Sequence, residues 1–316
     1  MELYSIKRNK LNNVRLNPFK KEREIQDLVE ENTETLFDVD FVSSEFKIGE
    51  FRIDTLCFDN ETNSFVIIEY KKGSSYSVID QGYSYLSKML NNKDSFILEY
   101  CRKKKVSVDI EVDWSQSRII FVSPSFNSYQ KNSVNFKDMN KFELWEIKRF
   151  DNDTIVLNQH QSNSKESIEK VIGNTNSIIN KVNKEVKDYS EEEKVSILNE
   201  DVRDIYLTLK HKILELDDVD IVCKKHYVGF RTNKTIFVSI NFFKTSLTLT
   251  FVRGNIRLDG TKSQGFFSFD DPKKICKVSK FKQKGTLGRE YYKGKLSQID
   301  EIDYYMLLIK QKYNSL

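Results

Sequence analysis

The sequence predicts an α/β domain built on a mixed sheet flanked by helices, then a helical linker, then a smaller α+β domain. Three observations predict it. A helix-period stripe over 22–37 precedes three strand-like runs, and a second helical run separates these from further strands. After Asn158 the composition turns to Asn, Ser, Lys and Glu, with no aromatic before Tyr189. Beyond it, Leu247, Leu249 and Phe251 alternate with Thr248, Thr250 and Val252, a period-two signal for a half-buried strand. The resulting domains are 1–158, a polar linker at 159–198, and 199–316.

In the first domain, Ile25, Leu28, Val29, Asn32 and Leu36 fall on one stripe of a helix. Strands are expected at Asp40–Phe46, Glu50–Phe58 and Ser64–Tyr70, and the run Phe65–Ile68 reads as buried on both faces. A helix over about Tyr76–Leu90 is entered through Ser74 and Ser75 and closed by Asn91–Asn92. Arg118–Val122 and Lys141–Phe150 add two strands, with Trp114 and Trp145 packed beside the sheet. In the linker, Ile168, Val171, Ile178, Ile179, Val182 and Val186 form a thin stripe for an exposed helix that Gly173 weakens.

The last domain opens with a helix at Glu200–Leu216 and continues with strands Ile221–Arg231, Thr235–Phe243 and Ser246–Arg253. A hairpin from Lys277–Phe281 and Tyr291–Leu296 precedes a closing helix at Glu301–Tyr313.

A formal net charge of +4 permits nucleic-acid binding without demanding it, so any phosphate contact falls to local patches. These are Lys7–Lys10, Lys20–Lys21, Lys71–Lys72, Arg102–Lys105 and Lys224–Lys225, and most such runs are ordinary solvated surface. Cys57, Cys101, Cys223 and Cys276 form no CxxC pair, against structural zinc and a disulfide framework. The start MELYSIKRNK has no apolar signal core and no run approaches spanning length, so a cytoplasmic protein without membrane contact is expected. Three scattered His residues argue against an imidazole site. The glycines of KGTLGRE lack the spacing of a phosphate loop and read as a turn. Phe242–Phe243, Phe266–Phe267, Phe269 and Tyr291–Tyr292 read mainly as core, with base stacking as the alternative.

The chemistry gathers in FRIDTLCFDNETNSFVIIEYKK, residues 51–72. Glu69 and Lys71 share a strand face while Tyr70 points away. If the hairpin folds symmetrically about Glu61 and Thr62, Asp54 falls directly opposite Glu69, close enough for both carboxylates to hold one divalent metal. A one-residue slip would separate them. Lys71 is then placed to orient or deprotonate a water attacking phosphorus. Gln81 and Tyr85, four apart on the next helix, lie on one face near the strand end, placed to position the DNA strand by bonding a phosphate or to brace Lys71. Glu22 lies nearer its helix's apolar stripe than Glu24 or Glu31 and is the candidate third carboxylate.

The segments EREIQDLVEEN, RID, VIIEYKK and DQGYSYL together resemble the PD-(D/E)xK nuclease superfamily, most closely its NucS and RecB-like branch with the added QxxxY motif. The resemblance covers about 20–90, with weaker support to Phe150. It implies a restriction-endonuclease-like domain in which Glu22, Asp54, Glu69 and Lys71 are catalytic and Gln81 and Tyr85 match QxxxY. Ile53 stands where the motif's name has Pro. From about Val228 the chain also resembles the DUF5655 family, which brings no known chemistry.

The expected activity is a Mg²⁺- or Mn²⁺-dependent DNA endonuclease serving restriction, phage defence or repair. Asp54, Glu69, Glu22 and the Tyr70 carbonyl would be the metal ligands. Cutting two strands leaves room for a homodimer, and the C-terminal domain for a protein partner or ligand. The alternative is an inactive nucleic-acid- or protein-binding module on a nuclease scaffold. There Asp54, Glu69 and Lys71 are an ion-pair cluster at a sheet edge.

Overall fold

The computed structural model describes residues 2–72, 78–106, 110–136, 139–160, 177–232, 235–256, 261–262, 265–281 and 288–316. The chain divides into two compact units, Met1–Asp188 and Tyr189–Leu316.

The first unit begins with a two-stranded hairpin, β1 (Leu3–Lys7) and β2 (Lys10–Val14), separate from the main sheet. Helices α1 (Glu22–Glu30) and α2 (Thr33–Phe37) follow where one helix is expected. The break falls at Asn32, whose non-helical backbone (φ −131°) starts α2 while its side-chain amide donates to the Leu28 carbonyl at 2.8 Å. The six-stranded sheet then runs in spatial order β3 (Asp40–Ile48), β4 (Phe51–Asp59), β5 (Ser64–Tyr70), β6 (Arg118–Ser123), β7 (Phe142–Arg149) and β8 (Ile155–His160). Its first three strands and its last pair are antiparallel, whereas β5, β6 and β7 are parallel neighbours. Parallel neighbours need a crossover. Helices α3 (Val78–Asn91) and α4 (Lys93–Lys104) lie on the path from β5 to β6.

Alternation along β5 sends its side chains into two cores. Phe65 and Ile67 join Leu86, Met89, Phe96 and Tyr100 of α3 and α4 on one face. Val66, Ile68 and Tyr70 join Ile25 and Val29 of α1 on the other. All seven residues of β5 are buried, as its unbroken apolar run requires. Trp114 stacks on Phe65 at 5.5 Å between ring centres, and Trp145 meets Phe37 edge-on at 5.3 Å.

The predicted linker is shared between the units. Residues 161–176, with Ile168, Val171 and Gly173, lie outside the described residues. The helix Ser177–Glu185 is no exposed arm: Val182 and Val186 are buried in the same core as α3. Helix Glu191–Val195 belongs to the second unit, where Val195 is buried. The expected helix entry at Ser74 and Ser75 and the turn at Gly285 also lie outside the described residues.

The second unit is an antiparallel six-stranded sheet in order β13 (Cys276–Phe281), β14 (Gly288–Leu296), β12 (Ser246–Ile256), β11 (Thr235–Phe243), β10 (Tyr227–Thr232) and β9 (Asp220–Cys223). Helices Glu200–Leu214 and Ile302–Tyr313 pack with it through Tyr206, Leu209, Tyr305 and Ile309 against Leu247, Leu249 and Phe251. The single strand expected over Ile221–Arg231 is instead the pair β9 and β10, reversed where the Lys224 amide donates to the Tyr227 carbonyl at 2.9 Å. Phe242 meets Tyr206 edge-on in the core, and Phe269 stacks on Tyr292 at 4.2 Å. Among the described residues no helix is long and apolar enough to cross a membrane.

Candidate active site

The β4–β5 register pairs Thr55 with Ile68, Leu56 with Ile67, Cys57 with Val66, Phe58 with Phe65 and Asp59 with Ser64. Continued by one step, this register sets Asp54 opposite Glu69, in line with symmetric folding of the hairpin. At that step the ladder changes character. The Tyr70 amide donates to the carboxylate Oδ2 of Asp54 at 3.2 Å. The Asp54 carbonyl accepts from the Gln26 side chain of α1 at 3.1 Å. The end of β5 is held on its other side, where the Lys71 amide donates to the Val122 carbonyl of β6 at 2.9 Å.

Three donors converge on one oxygen of Glu69. Its Oε1 accepts from Lys71 Nζ at 3.0 Å, from Gln81 Nε2 at 2.9 Å and from the Tyr85 hydroxyl at 3.2 Å. Gln81 also donates to the Tyr85 hydroxyl, which lies 3.2 Å from the Arg52 carbonyl. Gln81 and Tyr85 reach Glu69 because α3 packs on the face that Glu69 and Lys71 share, with Gly82 letting the helix close on Phe142. The other oxygen, Oε2, is buried and has no hydrogen-bond partner among the described residues.

The electrostatics follow from this placement. Burial, reinforced by the charge of Asp54, pushes the Glu69 carboxyl up to about 7 despite the lowering effect of Lys71 and Tyr85. Burial also raises Asp54, opposed by the Tyr70 amide and Lys71 and reinforced by Glu45. A buried carboxylate, Glu69, and a half-buried one, Asp54, therefore lie together with one ammonium close by, and Lys71 is itself only 17 % exposed. A divalent cation would relieve both the mutual repulsion and the partnerless Oε2, so the donor set fits such an ion.

Glu22 stands apart from this pair. It starts α1, on the opposite face of the sheet from α3, and its Oε1 accepts from the Lys72 amide at 2.6 Å. Lys72 Nζ in turn donates to the Lys20 carbonyl. Among the described residues no three carboxylate, thiol or imidazole side chains gather as a metal cage. Glu22 thus braces the chain leaving β5.

Sequence reasoning passed over Gln26, Glu30 and Glu45. Gln26 is buried, and its amide nitrogen lies within 3.3 Å of Glu30, Ser44 and Glu45 side chains as well as the Asp54 carbonyl. Glu30 accepts from the Thr55 hydroxyl at 2.6 Å, and that hydroxyl lies 3.0 Å from the Tyr70 hydroxyl. Glu45 lies between Ser44 and Phe46, which pair with Thr55 and Ile53, so it falls opposite Asp54. Folding the β3–β4 hairpin about the Gly49 turn would have found it; Gly49 adopts φ +59° there. The basic patch Arg102–Lys105 closes α4, with Arg102 bound to Glu99 at 2.7 Å.

Comparison with known proteins adds three findings. Residues 191–315 match the domain of unknown function DUF5655. An uncharacterized protein of Haemophilus influenzae is 38% identical over 314 residues, which covers 98% of this chain and 99% of that one. Solved structures give distant likenesses. An EndoMS–dsDNA complex (TM-score 0.28, 20% identity) shares 42% of this chain and 47% of its own. A repair endonuclease from Pyrococcus abyssi (0.25, 20%) shares 41% and 48%. SfsA of Pyrococcus furiosus in complex with Ca²⁺ (0.26, 10%) shares 48% and 77%. The chain thus spans about half the length of the first two of these.

Proposed function

The chain belongs to one family with the uncharacterized Haemophilus influenzae protein, and for this family we propose a metal-dependent DNA endonuclease of the PD-(D/E)xK type. The observation that carries the reading is the facing pair Asp54 and Glu69. One Glu69 oxygen is buried without a partner and the other is 3.0 Å from Lys71. Asp54, Glu69 and the Tyr70 carbonyl would hold Mg²⁺ or Mn²⁺, and Glu22 would act at longer range through Lys72. Such an ion supplies a Lewis acid that offsets the charge developing on the phosphate oxygens. Lys71 would orient the attacking water or, as the neutral amine, accept the proton it loses. Gln81 and Tyr85 fix the rotamer of Glu69, leaving its Oε2 directed at the ligand.

The test is incubation with Mn²⁺ and labelled single-stranded, duplex and branched DNAs, beside Asp54→Ala. The expected result is cleavage by the natural protein that the substitution abolishes. Cleavage by Asp54→Ala near the natural rate overturns the assignment.

One observation favours the competing reading of an inactive binding scaffold: Glu22 is engaged by Lys72 and joins no cluster with Asp54 and Glu69. Titration with Mn²⁺ separates the two, since a working site binds the ion only with Asp54 and Glu69 intact.

A further inference from the structure

The amino-terminal hairpin is an arm with an unusual charge pattern. From Leu3 to Lys21 there is no acidic residue, while Lys7, Arg8, Lys10, Arg15, Lys20 and Lys21 are all basic. Every residue from Tyr4 to Asn13 is exposed, and Val14 is the first buried position. The chain is anchored only from there. Leu16 bridges to Phe150, the Asn17 amide donates to the Arg149 carbonyl at 2.8 Å, and Phe19 enters the core.

The tip is a two-residue turn with both central residues left-handed, Arg8 at φ 52° and Asn9 at φ 60°. It sets Lys7 directly across from Lys10, with Arg8 between them. Like charges opposite each other destabilise a hairpin, and a lone two-stranded ribbon is marginal in water. None of Lys7, Arg8 and Lys10 has an ion-pair partner among the described residues. By the register, Ser5, Lys7, Lys10 and Asn12 share one face, and Tyr4, Ile6 and Leu11 the other. A ribbon of two strands matches the width of a DNA major groove, and a row of cations and hydrogen-bonding side chains matches its phosphates. Two such arms from two copies would repel each other at their tips.

The arm is joined to the candidate site by a short stretch of chain. Lys20, just past the anchor, accepts through its carbonyl from Lys72, the neighbour of Lys71. We infer that the hairpin Leu3–Val14 is a DNA-gripping arm whose tip, Lys7, Arg8 and Lys10, neutralises backbone phosphates of a duplex. Its choice of DNA rests on the endonuclease reading, but the grip itself is separable from cleavage.

The test measures binding of a fluorescent DNA duplex in chelator, so that nothing is cut, across a salt series. The natural protein is set beside the combined Lys7→Gln, Arg8→Gln and Lys10→Gln variant, and beside Lys7→Arg with Lys10→Arg. The expected result is binding weaker by about tenfold or more in the Gln variant, a salt slope lower by about 2–3, and full rescue by Arg. Melting temperature should be unchanged, since these side chains are exposed. Equal affinity and slope overturn the inference, as does a Gln variant that changes only the oligomeric state, which would assign the arm to a second copy. An arm-independent protein that still cleaves with Mn²⁺ sinks the arm and leaves the nuclease. Arm-dependent binding without cleavage sinks the nuclease and leaves the arm.

Discussion

Gln26 donates to the main-chain carbonyl of Asp54 at 3.1 Å, so a helix on one face of the sheet fixes the backbone of an acidic residue on the other. Beside it, the Asp54 carboxylate accepts from the Tyr70 amide at 3.2 Å. Gln26→Met keeps the packing and removes the donor. A buried carbonyl left unpaired costs about 1–3 kcal/mol. Under the endonuclease reading, Mn²⁺ affinity should fall about 10–100-fold, the usual effect of removing a partner behind a metal ligand. Calorimetric titration checks it, and unchanged affinity refutes the role.

Stability in chelator should depend on pH through Glu69. Its folded-state pKa is raised to about 7, above the value of about 4.5 for a free carboxyl, so the native state binds the proton more tightly than the unfolded chain. The stabilisation is therefore complete below about 4.5 and lost as pH rises through about 7, on the order of 3 kcal/mol in all. Urea unfolding at several pH values reads the slope. Glu69→Gln should flatten it, and under the endonuclease reading saturating Mn²⁺ should oppose it. A slope that persists in Glu69→Gln would assign it to another group.

The two carboxyls should titrate as a pair. Asp54 raises the Glu69 pKa, and Lys71 lowers it. Asp54→Asn should move the Glu69 midpoint down and Lys71→Met should move it up, read by carboxyl carbon NMR. Movement of both in one direction contradicts the geometry.

Gly82 is where α3 closes on the sheet. A Cβ there would meet Phe142 Cε1 at 2.5 Å and Cδ1 at 2.9 Å. Gly82→Ala should destabilise the first unit by about 1–3 kcal/mol despite the better helix propensity of alanine. Under the endonuclease reading, because Gln81 and Tyr85 ride on this helix, activity should drop more than stability alone explains. Thermal melts and cleavage rates measured together decide it, and an alanine variant as stable as the natural protein speaks against the close packing.

The site's central geometry was legible because it depends on alternation and one short turn. The run Phe65–Ile68 set the strand, and the polar turn set the register that brings Asp54 opposite Glu69. Glu45 escaped because its left-handed backbone, φ 54°, interrupts the alternation of β3, which also carries a register shift between Phe41 and Ser43. The amino-terminal hairpin was read only as a basic patch, since its turn is Arg-Asn without glycine. Helix α4 was missed because Asn91–Asn92 reads as a stop and its end is a run of cations, although Phe96 and Tyr100 bury one side of it. Glu22 was placed by helical repeat alone, which cannot say on which face of a sheet a helix settles.

The burial of β5 along all seven residues has a consequence for how such a site can change. Glu69 sits at the end of a strand hydrogen-bonded on both sides, with a core above it and another below. Such a centre tolerates little adjustment, so relatives are expected to differ at the rim, in hairpins and appended units, with these central positions held constant.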